Sequence, residues 1–90
     1  MYVDDMRAPY RRMVMCHMVA DSLDELHAMA DKIGVARRWF QDRDGMPHYD
    51  VCLAKRALAV RAGAIEIRYR ELPALLRKLR SNRGGDAMKR

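Results

Sequence analysis

From Met13 to Ala20 the chain reads MVMCHMVA, apolar at every position except His17, with Arg12 before it and Asp21 after. A short unbroken apolar run bounded by charge predicts a strand covered on both faces, as in a sheet with helices packed on each side. The next run, DSLDELHAMADKIG, changes period. Leu23, Leu26, Ala30 and Ile33 recur at three and four residues and make one apolar stripe. Ser22 and Glu25 have the spacing of a capping box, and Gly34 supplies a left-handed stop, so a helix is expected between them.

Further on, VARRWFQ predicts a short strand anchored by Val35, Trp39 and Phe40, and DRDGMP predicts a turn. Asp50 is then placed to cap a helix through VCLAKRALAVRAG, which closes at Gly63. In AIEIRY, Ile65 and Ile67 alternate with Glu66 and Arg68, the pattern of a half-covered strand. RELPALLRKLR gathers Leu72, Leu75, Leu76 and Leu79 on one helical face, with Pro73 in the first turn where its missing N–H costs nothing. Ahead of all these, Tyr2 and Val3 form a very short strand, and MRAPYRR is expected to be a loop crossing the domain. Strand and helix alternate along the chain. That order predicts an α/β fold, a small, mostly parallel three-layer α/β/α sandwich.

Ninety residues leave room for one core. Residues 1–80 are expected to form the single domain and 81–90 a flexible basic tail. The net charge is +6, and fourteen of the eighteen basic residues are arginine, whose planar fork suits phosphate and carboxylate partners. Removing the tail leaves +4 on residues 1–80, so the basic excess belongs to the body and permits a nucleic acid or nucleotide partner. Cys16 and Cys52 lack metal-ligand or CxxC spacing and read as buried thiols of a reducing compartment. With no apolar run near 18 residues and no signal-like start, the expectation is a cytoplasmic protein with no membrane contact.

Several polar groups lack an obvious structural duty. In a parallel sheet, ligands collect at the carboxyl ends of the strands, where Asp4, Asp5, His48 and Asp50 would fall. Asp4, then Asp5, with Asp50, are candidate ligands for Mg²⁺ or Mn²⁺, because hard cations prefer carboxylate oxygens; each also reads as a solvated turn or cap. His48 and Asp50, two apart, share a side of an extended chain, and His48 or His17 has the titration range of a general acid or base. His17 equally suits a buried histidine satisfied by hydrogen bonds. Lys55 and Arg56 follow the expected helix start and, with Arg7, are candidate phosphate ligands, or a solvated basic pair. Arg11, Arg12, Arg37 and Arg38 would ring the same end. Trp39 and Phe40 serve either as core anchors or as a stacking platform.

The segments YVDDMRAP, MVMCHMVADSLDELHAMADKIGV, RRWFQ and HYDVCLAKRALAVRAGAIEI, spanning most of residues 2–68, resemble the DUF4031 family of small bacterial and phage proteins, a domain of unknown function. The resemblance carries the family's polar positions onto Asp4, Asp5, His17, Trp39, His48, Tyr49, Asp50, Lys55 and Arg56. Ala54 stands where the family pattern has a serine or similar polar residue, which removes a hydroxyl from that point. The resemblance implies one domain with one polar cluster and supplies no reaction. Three functions therefore stay open: metal-dependent hydrolysis of nucleic acid or nucleotide, noncatalytic binding of the same ligands, and a protein-interaction or homodimeric structural role.

Overall fold

The computed structural model describes residues 1–43 and 45–88, the stretch 82–88 as backbone only. In chain order the elements are β1 (Tyr2–Val3), β2 (Ala8–Tyr10), β3 (Met13–Val19), α1 (Leu23–Ile33), β4 (Phe40–Arg43), β5 (Met46–Cys52), α2 (Leu53–Arg61), β6 (Ile65–Glu66) and α3 (Leu72–Met88). Two 3-10 turns, Arg37–Trp39 and Tyr69–Glu71, precede β4 and α3. The helix α3 thus continues through the segment expected to be a tail as far as Met88, and Lys89 and Arg90 lie outside the described residues.

The six strands form one mixed sheet in the order β4-β5-β3-β1-β6, with β2 also paired to β3. Among the described residues only β1 and β6 pair in parallel; β1 and β2 with β3, β3 with β5, and β4 with β5 are all antiparallel. The fold is therefore α+β with a mostly antiparallel sheet, which corrects the expected parallel sandwich. Two tight connections are the cause, since parallel neighbours need a crossover and short links join only antiparallel ones. Tyr10 pairs with Met13 across Arg11 and Arg12, where Arg11 takes φ 57°. Arg43 pairs with Met46 across a turn containing Gly45 at φ 68°. The expected loop MRAPYRR thereby becomes a strand and half a hairpin.

A second correction concerns Asp50. Residues 46–52 alternate faces as a central strand, with Tyr49 and Val51 buried in one core and His48 and Asp50 on the opposite side. The helix starts three residues later, with Cys52 at its cap position and no side-chain capping bond, so Asp50 is a strand residue and not a cap. Trp39 is likewise no core anchor, being 54% exposed. By contrast α1 ends as its sequence dictates: Ser22 Oγ accepts the Glu25 N–H at 3.1 Å, and Gly34 closes the helix at φ 81°.

Helices α1 and α2 cover one sheet face, burying Val3, Met18, Leu26, Ala30, Ile33, Tyr49, Val51 and Ala59 in the main core. At about 25 cal/mol per Å² of apolar surface removed from water, such residues supply the dominant driving force. On the other face α3 packs Leu72, Leu76 and Leu79 onto Val19, with Tyr2 and Met46 at the margin. That single helix covers only part of the face. Met15, His17 and Asp50, on the same side of the sheet, remain half-buried. No helix among the described residues is long and apolar enough to cross a membrane.

Candidate functional site

The site begins with an interruption in the first strand. Val3 pairs with Met18 and Ala8 with Met15, so residues 4–7 face only residues 16 and 17 of β3. The excess chain bulges, with Arg7 at φ 55°. Asp4 repairs the ladder with its own side chain. Its backbone N–H donates to the His17 carbonyl at 3.0 Å, while its Oδ1 accepts the His17 N–H at 2.7 Å and the Met6 N–H at 3.2 Å. Its Oδ2 accepts from His17 Nδ1 at 2.8 Å. Asp4 is fully buried. Burial by itself would raise its pKa, but the imidazole bond and the two backbone donors outweigh burial and hold it below the ordinary 3.8.

Across the sheet His17 stands directly opposite Asp50, and His48 lies two residues from Asp50 on the same strand face. The His17 and His48 rings meet edge to face, centroids 5.3 Å apart. His48 Nδ1 lies 2.7 Å from the Met46 carbonyl, which can only accept, so Nδ1 carries the hydrogen. The same logic puts a hydrogen on His17 Nδ1 toward the Asp4 carboxylate. In each neutral ring Nε2 is then a bare lone pair. Those two nitrogens lie 3.9 and 3.6 Å from Asp50 Oδ1, too far for a hydrogen bond and close enough to share a small cation. Asp50 Oδ2 accepts from Gln41 Nε2 at 3.0 Å, whereas Oδ1 is buried and has no hydrogen-bond partner among the described residues.

His17 is pulled the opposite way from Asp4. The hydrogen bond to Asp4 raises its pKa above 6.5, partial burial opposes that, and the negative charges of Asp4 and Asp50 add to the rise. Tyr69 stacks on the same ring at 5.8 Å and an interplanar angle of 16°, its backbone N–H donating to Asp5 Oδ1 at 2.6 Å.

A family model described as a protein of unknown function (DUF4031) matches residues 1–79. The chain belongs to this family. No curated protein and no solved structure matches it. All of Asp4, His17, Gln41, His48 and Asp50 fall inside the DUF4031 match.

In this DUF4031 domain the candidates read from the sequence separate into distinct places. His17, His48 and Asp50 converge, with ligand atoms all within 4.8 Å of one another. Asp4 sits behind His17 with both oxygens occupied, and Asp5 holds the Tyr69 backbone, so these two carboxylates orient the site from outside the cluster. Arg56 donates Nε–H to the Asp4 carbonyl at 2.7 Å and an NH to Glu66 at 2.9 Å, tying α2 to the bulge after β1 and to β6. Arg7 shares a polar cleft with Arg56, while Lys55 lies elsewhere, its Nζ against Gly34. Sequence reasoning missed Gln41 and Tyr69. Gln41 became detectable only once the hairpin register placed it opposite His48.

Donors on a shell of about 2.0–2.2 Å around an ion lie at most about 4.4 Å apart, so each nitrogen, at 3.9 and 3.6 Å from Asp50 Oδ1, is within reach of an ion held by that oxygen. Two imidazole nitrogens and one carboxylate oxygen suit Zn²⁺, Fe²⁺ or Mn²⁺ better than the all-oxygen shells of Mg²⁺ and Ca²⁺. Asp4, the Met46 carbonyl and Gln41 each bond the far side of a ligand, the outer layer that fixes ring tautomers and orientation at metal centres.

Proposed function

We propose that this DUF4031 domain is a mononuclear metal-dependent hydrolase acting on a phosphate ester, with His17, His48 and Asp50 as the ligands. One observation carries the reading. Asp50 Oδ1, a buried acceptor with no donor among the described residues, faces the Nε2 atoms of His17 and His48, which are acceptors when each neutral ring carries its hydrogen on Nδ1. Three converging acceptors repel one another unless a proton or a metal cation lies between them, and leaving a buried carboxylate oxygen unsatisfied costs about 1–3 kcal/mol or more. Three protein ligands leave further coordination positions open, the arrangement of catalytic rather than structural centres.

A bound divalent ion would supply Lewis acidity at the phosphoryl oxygen and toward an attacking water. The chain's own groups do the rest. Asp4 holds the His17 ring, and Gln41 holds the second oxygen of Asp50. Beside the two histidines lies a cavity of about 470 Å³ lined by Val19, Met46, Tyr69, Arg70 and Leu72. On the Asp50 side lies a cleft of about 420 Å³ that includes Arg38. An arginine in the lining of each suits an anionic substrate. In the overall reaction the water oxygen bonds to phosphorus, the ester P–O bond breaks, and the water's proton ends on the leaving alcohol.

The test is turnover of bis(p-nitrophenyl) phosphate by metal-stripped protein resupplied with Zn²⁺ or Mn²⁺. Activity restored by the ion and lost in EDTA supports the proposal. A second reading, metal-free acid–base catalysis by the Asp4–His17 pair, is favoured by the raised His17 pKa and requires activity that persists in EDTA.

A further inference from the structure

Tyr10, 48% exposed, stands on the sheet face that α3 covers only in part, and Trp39, 54% exposed, stands in the 3-10 turn that leads into β4. Tyr10 is the last residue of β2 and Trp39 closes the 3-10 turn before β4, and the 420 Å³ cleft bordered by Asp50 lies between them. Each ring has its own guanidinium. Arg11 Cζ stands 5.6 Å from the Tyr10 centroid and Arg38 Cζ 5.4 Å from that of Trp39. A second cleft of about 470 Å³ shares Tyr10, Arg38, Trp39 and Asp50 and adds Arg11 and Lys55. Neighbouring Arg37 is committed to Asp31, with N···O 3.0 Å, but Arg11, Arg38 and Lys55 make no ion pair among the described residues.

We propose that this surface binds single-stranded nucleic acid, whose bases stack on Tyr10 and Trp39 while its phosphates lie along Arg11, Arg38 and Lys55. Two flat apolar rings standing in water, each beside a cation, match a ligand that alternates π-faces with negative charges. A duplex keeps its base faces inside its own stack, and an acidic peptide would use the arginines and leave the rings idle. The chain's charge of +6 favours a polyanion over a neutral ligand. Asp50 borders both clefts, so a bound strand passes the His17, His48 and Asp50 cluster, which makes a phosphodiester within that strand the substrate. That choice of substrate rests on the hydrolase reading; the binding surface does not.

Trp39 is the only tryptophan, so its emission reports the surface directly. Titrating the protein in EDTA with a short single-stranded oligodeoxythymidine is expected to quench Trp39. Affinity should fall by about an order of magnitude between 50 and 200 mM salt if three phosphates are neutralised. Tyr10→Ala is expected to weaken binding about fivefold or more, and Arg38→Ala to weaken it and flatten the salt dependence. Circular dichroism verifies the fold of both variants. Unchanged Trp39 emission, wild-type affinity in both variants, equal affinity for the duplex, or equal displacement by polyglutamate would each overturn the proposal. The EDTA titration reads this surface alone, so quenching there combined with no Zn²⁺ uptake in a separate EDTA-free titration supports this surface and sinks the metal-dependent hydrolase reading. Metal uptake without quenching does the reverse.

Discussion

Asp4 Oδ2 lies 2.8 Å from His17 Nδ1 while Asp4 Oδ1 accepts the backbone N–H of the same residue at 2.7 Å, so one buried carboxylate fixes both the main chain and the ring of its partner. The bulge at residues 4–7 makes this possible, because it turns the Asp4 side chain into the place of the missing strand carbonyl. Fold and site thus share a residue.

Substituting Asp4 separates those duties only in part. Asp4→Asn keeps one acceptor oxygen but sets an amide donor against either the His17 N–H or the ring. The expected loss of stability is about 1–3 kcal/mol, read by urea unfolding of the metal-free protein. Zn²⁺ affinity should drop by about ten- to a hundredfold, as it does when an outer-layer partner of a metal-bound histidine is removed. A variant with unchanged metal affinity would show that Asp4 is purely a strand-repair device.

The pair also sets a pH window in the metal-free protein. His17 has a raised folded pKa, so its contribution is complete below 6.5 and is lost as pH rises through the folded value. Asp4 has a depressed one, so its contribution is complete above 3.8 and is lost as pH falls through the folded value. The stability difference between wild type and Asp4→Asn should therefore be greatest between those limits and narrow toward alkaline pH. Unfolding curves at several pH values provide the measurement, and a difference that grows toward alkaline pH would contradict the pairing.

Arg56 distinguishes a brace from a phosphate ligand. Its side chain is 17% exposed and donates to the Asp4 carbonyl and Glu66. Arg56→Ala is expected to cost about 1.5–3 kcal/mol of stability, the range for a hydrogen bond involving a charged group. Oligonucleotide affinity in the folded fraction should stay near wild type. A large loss of affinity without a loss of stability would return Arg56 to the ligand-binding set.

Gly34 combines a backbone requirement with a close neighbour. At φ 81°, with Lys55 Nζ 3.1 Å from where a Cβ would stand, Gly34→Ala is strained by its conformation and displaces a flexible amine. A loss of about 1 kcal/mol is expected in thermal unfolding, most of it from the left-handed backbone.

The helices α1 and α3 and the strand β3 were legible because each is decided by its own residues: Ser22 and Gly34 as end signals, the leucine stripe of residues 72–79, the apolar run around Cys16. Sheet direction was not. It turns on a hairpin whose positive-φ residue is Arg11, a type that carries no turn signal, and on an Asp-Gly pair followed by a strand in which Asp50 mimics a helix cap. The polar residues His17, His48 and Asp50 stood out in the sequence as groups without a duty. Their mutual geometry depends on the β3–β5 register, which no local pattern records. Asp4 was legible as a carboxylate but not as the partner of His17, because that contact exists only through a bulge.

A cation answering the three acceptors around Asp50 Oδ1 is tested most directly by calorimetric titration of metal-stripped protein with Zn²⁺. One equivalent should bind, and His17→Ala, His48→Ala and Asp50→Ala should each abolish or severely weaken that uptake while the fold is retained by circular dichroism. No saturable uptake, or wild-type uptake in all three variants, would contradict it.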